Sequence, residues 1–174
     1  TDVKKERFDL AKYEELIKHP KLVAVGECGL DYFRAAGEEK RQKEDFEKQI
    51  QFALDNDKPL MLHCRPSEGT MDAYEDVLDI LKEYAKEHGG KLRGNVHFFV
   101  GDTTIAKQFL DTGFTLSFTG VITFARDYDQ VIQSTPLDMI LSETDSPFVA
   151  PEPYRGACNE PSYVPLVVRK IAQI

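Results

Sequence analysis

Four side chains that commonly bind metal ions each follow a short apolar run. They are Glu27, His63, His97 and Asp145, and the runs lie at 23–26, 59–62, 94–96 and 139–141. Two imidazoles and two carboxylates make a mixed nitrogen and oxygen ligand set, which suits Zn, Mn or Mg and differs from a thiolate structural site. A carboxylate that bridges two ions about 3.5–4 Å apart is an arrangement used for phosphoester cleavage. The residue types therefore indicate metal-assisted hydrolysis.

Taken one at a time, these residues have ordinary structural alternatives. A histidine at a strand end is more often a satisfied buried side chain than a ligand, and a lone aspartate after a strand is usually a turn or capping residue. Glu27 lies between Gly26 and Gly29, where the backbone can turn sharply, and can cap the next helix. The coincidence at four strand ends favours a metal site, because side chains that alternate along parallel strands can converge on one axis.

The elements needed to position these residues alternate between helix and strand along the whole chain. Apolar periodicity predicts strands at 22–27, 59–63, 94–99, 114–118 and 137–142, and helices at 3–18, 38–55, 103–111, 127–134 and 163–174, with one more helix ending at His88. We predict that the strand leading to Asp145 is buried. Alternation at this spacing predicts right-handed βαβ units and a parallel sheet, which is an α/β fold.

The predicted architecture is a TIM (β/α)8 barrel of which this chain supplies five strands. A complete barrel takes about 250 residues, so three further strands are expected before Thr1. We expect residues 1–174 to be a single metal-dependent hydrolase domain, the C-terminal portion of the barrel. The isolated 174-residue chain is accordingly expected to be poorly folded, inactive or completed by another segment.

The composition excludes one class of nucleic-acid-binding protein. A formal net charge of −8 does not fit a protein that coats duplex DNA through a basic face. It does allow an enzyme that takes one strand end into a metal-lined pocket, since the metal supplies positive charge. The cysteines, Cys28, Cys64 and Cys158, lack zinc-finger spacing and are predicted to be free thiols in a reducing compartment. With no apolar run long enough to span a bilayer, we expect a cytoplasmic protein without membrane attachment.

Five motifs, in order along nearly the whole chain, resemble one known family. They are VGECGLDY at 25–32, PLMLHCR at 59–65, VHFFVG at 96–101, ETDSP at 143–147 and RGACNEP at 155–161. This series is similar to that of the TatD-like metal-dependent deoxyribonucleases, which belong to the amidohydrolase-type TIM barrels. Two positions depart from the family pattern: relatives commonly read His-Cys-Phe-Ser-Gly at 97–101, and the basic residue common after Arg-Gly is here Ala157. Neither is a ligand, but both leave the substrate open.

The resemblance implies roles for the four metal-binding side chains. It implies that the five strands are strands four to eight of the barrel, and that strand one with its His-x-His pair is not in this sequence. It implies two divalent ions, Mg, Mn or Zn, with Glu27 as the shared ligand, His63 and His97 on one ion, and Asp145 on the other. Asp145 would also accept a proton from the attacking water, so Glu27 and Asp145 are the implied catalytic residues.

The implied activity is that of a 3′–5′ exodeoxyribonuclease, in which metal-activated water cleaves phosphodiester bonds. DNA ends or single-stranded DNA would be the substrate, and no stable protein partner is expected. Two other functions stay open. One is amide or ester hydrolysis by another amidohydrolase-type enzyme on the same metals, and the other is a non-catalytic binding protein that retained the fold. Metal-dependent nucleotide release from single-stranded DNA separates these alternatives.

Charged residues beside the motifs each have two interpretations. Arg65 and Arg155 are candidate substrate-binding residues that can hold a phosphate, or they can form structural ion pairs. Glu143 can support the ligands from behind or brace a neighbouring strand. Asp31 is expected to fix the loop that follows Glu27.

Other residues near the motifs are also open to two interpretations. Tyr32 and Phe33 can stack on a base or simply cover the mouth of the barrel. Asn159 and Glu160 are expected to pin the proline-rich loop rather than to contact substrate.

Overall fold

The computed structural model describes residues 7–174, which alternate between strand and helix as predicted. The strands within these residues are β1 (Val25–Asp31), β2 (Leu60–Arg65), β3 (Gly94–Val96), β4 (Phe114–Phe118) and β5 (Ile140–Ser142). The helices within them are α1 (Leu10–Leu16), α2 (Glu39–Asp55), α3 (Asp72–His88), α4 (Thr103–Asp111), α5 (Asp129–Ser134) and α6 (Val164–Gln173). The sheet follows chain order, β1-β2-β3-β4-β5, so the α/β prediction is confirmed.

The chain divides into two compact units, Thr1–Asn95 and Val96–Ile174. In the first unit, two amphipathic helices cover the parallel pair β1 and β2. Helix α2 buries Phe46, Ile50 and Ala53, which recur at helical spacing, and packs against β1. Helix α3 buries Val77 and Leu81 and packs against both strands. One face of each strand therefore packs into the apolar core.

In the second unit, β4 and β5 form a parallel pair. Strand β4 buries Phe114, Leu116 and Phe118 and packs against α4. The side chain of Asp102 caps α4, because its Oδ1 accepts the N–H of Ile105 at 2.8 Å. Helix α6 packs against β5 and against a 3-10 turn that follows β4.

Strand β1 differs from its prediction in position and in shape. The strand begins at Val25 and continues to Asp31 instead of ending at Glu27. Its register with β2 shifts between Gly26 and Cys28, so Glu27 is the extra residue of a bulge within a continuous strand. The glycines serve close packing, because a Cβ on Gly29 would overlap the carbonyl oxygen of His63.

Three further predictions also need correction. Strand β3 ends at Val96 rather than at position 99, because Phe98 has a φ of 49° that extended pairing does not allow. The predicted buried strand at 137–142 contains only Ile140–Ser142, and Leu141 is 46% exposed. The helix predicted at 3–18 is α1, which starts after its cap Asp9; positions 3–6 lie outside the described residues.

The described residues also bear on membrane association and on the cysteines. Among residues 7–174, no helix is both long and apolar enough to cross a bilayer. The prediction of free thiols is confirmed, since Cys28, Cys64 and Cys158 are all unpaired with another cysteine. Cys28 and Cys64 are buried, whereas Cys158 is exposed.

Candidate functional site

In the first unit, strand alternation and the bulge position the two predicted ligands. Burial alternates along β2, so Leu62 and Cys64 face the helices, while His63 and Arg65 face the opposite side. The bulge in β1 re-aims the side chain of Glu27, and its Oε2 lies 3.8 Å from Nδ1 of His63. The structure thus brings together two of the four predicted ligands within this unit.

A buried carboxylate holds the other nitrogen of His63. Asp31 is only 1% exposed, and its Oδ2 lies 3.0 Å from Nε2 of His63. Because an ionised carboxylate only accepts hydrogen bonds, the contact with Asp31 requires a proton on Nε2 of His63. In the neutral ring, Nδ1 would then turn its lone pair toward Glu27. A gap of 3.8 Å between Nδ1 and the Glu27 oxygen accommodates a cation with bonds of about 2.0–2.2 Å to each atom.

The same aspartate closes the turn that follows β1. Its Oδ1 accepts the backbone N–H of Arg34 at 2.7 Å, so the loop role predicted for Asp31 is confirmed. Burial raises the pKa of Asp31, but the hydrogen bonds from His63 and Arg34 outweigh burial and hold that pKa below its ordinary value. Its contact with His63 was not predicted, because nothing local in the sequence links positions 31 and 63.

In the second unit, His97 is held in the same manner by Glu143. The Nδ1 of His97 lies 2.6 Å from Oε2 of Glu143, while Oε1 accepts the N–H of Phe98 at 2.7 Å and the hydroxyl of Ser117. The contact with Glu143 places a proton on Nδ1, and Nε2 faces Oδ1 of Asp145 at 3.5 Å. The other two predicted ligands are thus neighbours within this unit.

Glu143 contacts both a candidate ligand and a neighbouring strand. It orients His97, which follows β3, and through Ser117 it also links β4 to the residues after β5. Burial raises the pKa of Glu143, but its hydrogen bonds from His97, Ser117 and Phe98 hold the pKa below the ordinary value. The sequence reasoning missed Ser117, since a serine within a strand carries no signal of such a contact.

The loop that presents Asp145 has an unusual backbone and a dedicated support. Asp145 has a φ of 59° and Val149 a φ of 54°, and such values are uncommon for residues other than glycine. The buried side chain of Asn159 donates from Nδ2 to the carbonyl oxygens of Thr144 and Phe148, each at 2.7 Å. The predicted pinning role of Asn159 is confirmed, and it acts on the loop that carries a candidate ligand.

The two candidate substrate-binding arginines lie on aromatic rings. The Cζ of Arg65 is 4.3 Å from the ring centroid of Phe33, and the Cζ of Arg155 is 3.9 Å from that of Phe124. Within residues 7–174, neither guanidinium has a carboxylate within 4.0 Å. The alternative that they form structural ion pairs is therefore not seen in this part of the chain.

The neighbouring aromatic residues Tyr32 and Phe33 have different environments. Tyr32 is buried, and its hydroxyl donates to Oδ2 of Asp76 at 2.7 Å. Burial and this hydrogen bond raise the pKa of Tyr32. Phe33 is 53% exposed. Tyr32 therefore cannot stack on a base in this conformation, whereas Phe33 can.

Each unit alone contains one imidazole and one carboxylate that lie close enough together to share a metal ion. The donors fit a hard or borderline divalent cation, since one ring nitrogen of each histidine contacts a supporting carboxylate and the neutral ring would offer its other nitrogen to the metal ion. Two protein ligands are fewer than the three or four that catalytic and structural zinc sites use. A complete centre therefore requires more ligands than either pair contains.

Comparison with known proteins adds independent information. The sequence model of the family described as TatD related DNase matches residues 1–174. A Bacillus subtilis protein named uncharacterized metal-dependent hydrolase YabD is 42% identical over 168 residues, which are 95% of this chain and 62% of the relative. A Klebsiella pneumoniae protein named 3′-5′ ssDNA/RNA exonuclease TatD is 29% identical over 164 residues, 90% of this chain and 59% of the relative.

A solved structure gives the same result at the level of the fold. The crystal structure of YJJV, a TatD homologue from Escherichia coli, superposes with a TM-score of 0.83 at 27% identity. The match covers 94% of this chain and 61% of that one. The chain thus spans about 60% of the length of these relatives.

Proposed function

The chain belongs to the family of TatD related DNases, and from that premise we propose that it carries part of the active site of a metal-dependent phosphodiesterase that removes nucleotides from the 3′ end of DNA. The family description and the name of the Klebsiella relative support this choice of substrate. The relative with the higher identity is named only as a metal-dependent hydrolase. DNA ends or single-stranded DNA are therefore the proposed substrate.

We propose that the two histidine–carboxylate pairs serve one metal centre. In this assignment, His63 and His97 would hold one divalent ion, Asp145 would hold a second, and Glu27 would be a ligand of both. The mixed nitrogen and oxygen donors suit Zn, Mn or Mg.

One observation carries this proposal. In each unit, a largely buried carboxylate holds the outer nitrogen of a histidine, at 3.0 Å for Asp31 and His63 and at 2.6 Å for Glu143 and His97. The other ring nitrogen faces a second carboxylate, at 3.8 Å for His63 and Glu27 and at 3.5 Å for His97 and Asp145. A histidine that serves only the core does not need carboxylates on both sides, whereas a metal-binding histidine commonly has this arrangement.

The proposed chemistry assigns a separate task to each side chain. Divalent ions bound here would polarise the phosphodiester and lower the pKa of a bound water. Asp145 accepts the proton of the attacking water. Arg65 and Arg155 bind phosphate oxygens of the strand through their guanidinium N–H groups. Asp31 would keep the proton of His63 on Nε2, so that Nδ1 would be the atom that binds the metal ion.

The test is nucleotide release from labelled single-stranded DNA by the protein that contains this chain. With Mg²⁺ or Mn²⁺, a 3′ label should be released as a mononucleotide before a 5′ label, and EDTA should abolish release. Asp145→Asn should reduce the rate by about 10²-fold or more, and Glu27→Gln should reduce both the rate and the bound metal. His88→Gln, at the end of α3, is the matched control and should match wild type.

Specific results would exclude the proposal. The absence of release with either metal, together with cleavage of amide or ester substrates, would establish a different amidohydrolase reaction. Stoichiometric metal binding without any hydrolysis would establish a binding protein.

Three broader assignments accompany this function. We propose that β1 to β5 are the last five strands of an eight-stranded barrel and that residues 1–174 belong to one catalytic domain. The partial coverage of the relatives supports this assignment. We also propose a cytoplasmic location, which is supported by the three free cysteines.

A further inference from the structure

The backbone places Phe33 and Arg65 side by side at one end of the β1–β2 pair. Asp31 is in register with Arg65, and the N–H of Tyr32 donates to the carbonyl oxygen of Arg65 at 2.8 Å. Phe33 is the next residue along the chain. The guanidinium of Arg65 lies over its ring at 4.3 Å from the centroid, and 53% of Phe33 remains exposed to solvent.

The guanidinium of Arg65 is available to an anion. Within residues 7–174 it has no carboxylate within 4.0 Å, although this chain carries 30 acidic residues. Because side chains alternate, Arg65 emerges on the same side of β2 as His63 and about 6–7 Å farther along the strand. It therefore lies beside the candidate ligand and within reach of a neighbouring phosphate of a bound strand.

The turn that carries Phe33 is rigidly connected to the candidate metal ligand. One oxygen of Asp31 accepts the N–H of Arg34 at 2.7 Å and so closes the turn around Phe33. The other oxygen lies 3.0 Å from Nε2 of His63. Since Asp31 is almost fully buried, the ring and the histidine share one fixed support.

We propose that Phe33 and Arg65 form a nucleotide subsite, in which a nucleobase near the 3′ end stacks on Phe33 and Arg65 binds a backbone phosphate. This proposal rests on the proposed function and specifies how that site recognises its substrate. Every nucleobase has a π-face, so stacking of this kind tolerates any sequence. The subsite therefore suits an exonuclease, which must accept whichever base comes next.

A base-removal cycle tests the stacking contact. The metal-loaded protein is titrated with short labelled thymidine strands that have phosphorothioate linkages to slow cleavage, and the last few bases are removed one at a time. For wild type, loss of the base that stacks on Phe33 should weaken binding by about tenfold. For Phe33→Leu, loss of that same base should leave the affinity unchanged, because the variant lacks the ring on which the base stacks.

Two further variants make the cycle decisive. Phe33→Tyr keeps the ring and should retain the wild-type base dependence. Tyr84→Leu removes an aromatic residue from the helix α3 and should also behave as wild type. If Phe33→Leu retains the full penalty at every base position, the stacking subsite does not exist.

Salt dependence tests the role of Arg65. Removal of one phosphate contact from a single strand should reduce the slope of log Kd against log salt by about 0.7. Arg65→Gln should show this reduction, and Arg65→Lys should restore the slope because it keeps the charge. An unchanged slope in Arg65→Gln would overturn the phosphate contact.

The same preparations separate failure of the subsite from failure of the proposed function. If wild type releases nucleotides but removal of bases weakens the binding of wild type and Phe33→Leu equally, the subsite alone is overturned. Coupling between Phe33 and one base in a protein that releases no nucleotides would overturn the nuclease function and retain the subsite.

Discussion

Replacement of Asn159 tests whether its amide holds the loop that presents Asp145. The side chain is 3% exposed, and its Nδ2 lies within 3.2 Å of three carbonyl oxygens, those of Thr144, Phe148 and Val149. Its Oδ1 also accepts the backbone N–H of the next residue, at 2.9 Å. Alanine at this position would leave these groups buried without their partner.

The magnitude follows from the number of donors and acceptors. An amide nitrogen has two N–H groups, so Asn159 makes two full donor bonds and one acceptor bond. At about 1 kcal/mol for each hydrogen bond, Asn159→Ala should lower the free energy of unfolding by about 3 kcal/mol. Asn159→Asp should be at least as destabilising at neutral pH, because an ionised carboxylate cannot donate to the carbonyl groups.

The two variants differ in their dependence on pH. The introduced carboxyl group would be buried against carbonyl oxygens, so its pKa in the folded protein should exceed the ordinary value of about 3.9. A raised folded-state pKa favours folding at low pH, where the protonated group regains a donor. Asn159→Asp should therefore gain stability relative to Asn159→Ala as the pH falls and exceed it once the carboxyl group is protonated, whereas Asn159→Ala should show the wild-type pH profile.

Urea unfolding together with amide hydrogen exchange measures both consequences. Exchange of the Phe148 amide, which donates to the carbonyl oxygen of Asp145 at 2.9 Å, should accelerate in both variants. Gln133→Ala is the matched control, since the exposed amide of Gln133 donates to the carbonyl oxygen of Ile174 at 3.2 Å. If Asn159→Ala unfolds within about 0.5 kcal/mol of wild type, as an ordinary surface substitution does, the reasoning is wrong.

Three further predictions follow from separate contacts. Asp31→Asn should weaken Mn²⁺ or Zn²⁺ binding by about 10- to 100-fold in calorimetric titrations, because such carboxylates orient the ligand; unchanged affinity would contradict the proposed metal site. Burial raises the pKa of Asp72, but hydrogen bonds from the segment before α3 outweigh burial and hold the pKa below its ordinary value. Asp72→Asn should therefore cost about 1 kcal/mol of stability above pH ~4, and in urea unfolding the difference should vanish as the pH falls through the lowered pKa; a pH-independent difference would refute it. Burial raises the pKa of Cys28 to about 12 and also raises that of Cys64, so native protein should expose one reactive thiol, that of Cys158, and denatured protein three; rapid native reaction of all three would contradict this.

The element order was predictable from the sequence because its apolar periodicity is strong. The runs in β2 and β4 and the amphipathic faces of α2 and α3 are long enough to identify strand or helix directly. Boundaries were less predictable where a single backbone angle decides them. The φ of 49° at Phe98 ends β3 early, and no residue type at that position announces it.

The sequence suggested the four candidate ligands and offered Glu143 as one support, but it did not indicate which side chain each support contacts. Glu27, His63, His97 and Asp145 were identified because each follows an apolar run, and this signal is local. The support of His97 by Glu143 joins residues 46 positions apart. Such contacts depend on tertiary packing, which a single sequence does not reveal.

The glycine at position 29 has a consequence for any attempt to re-engineer this protein. Its missing side chain lets the backbone of β1 approach the carbonyl oxygen of His63, and its φ of 129° is one that other residues rarely adopt. The two strands can therefore lie this close together only because residue 29 has no Cβ. A library that randomises the segment around Glu27 should keep this position invariant, or most of its members will fail to fold before their chemistry can be assayed.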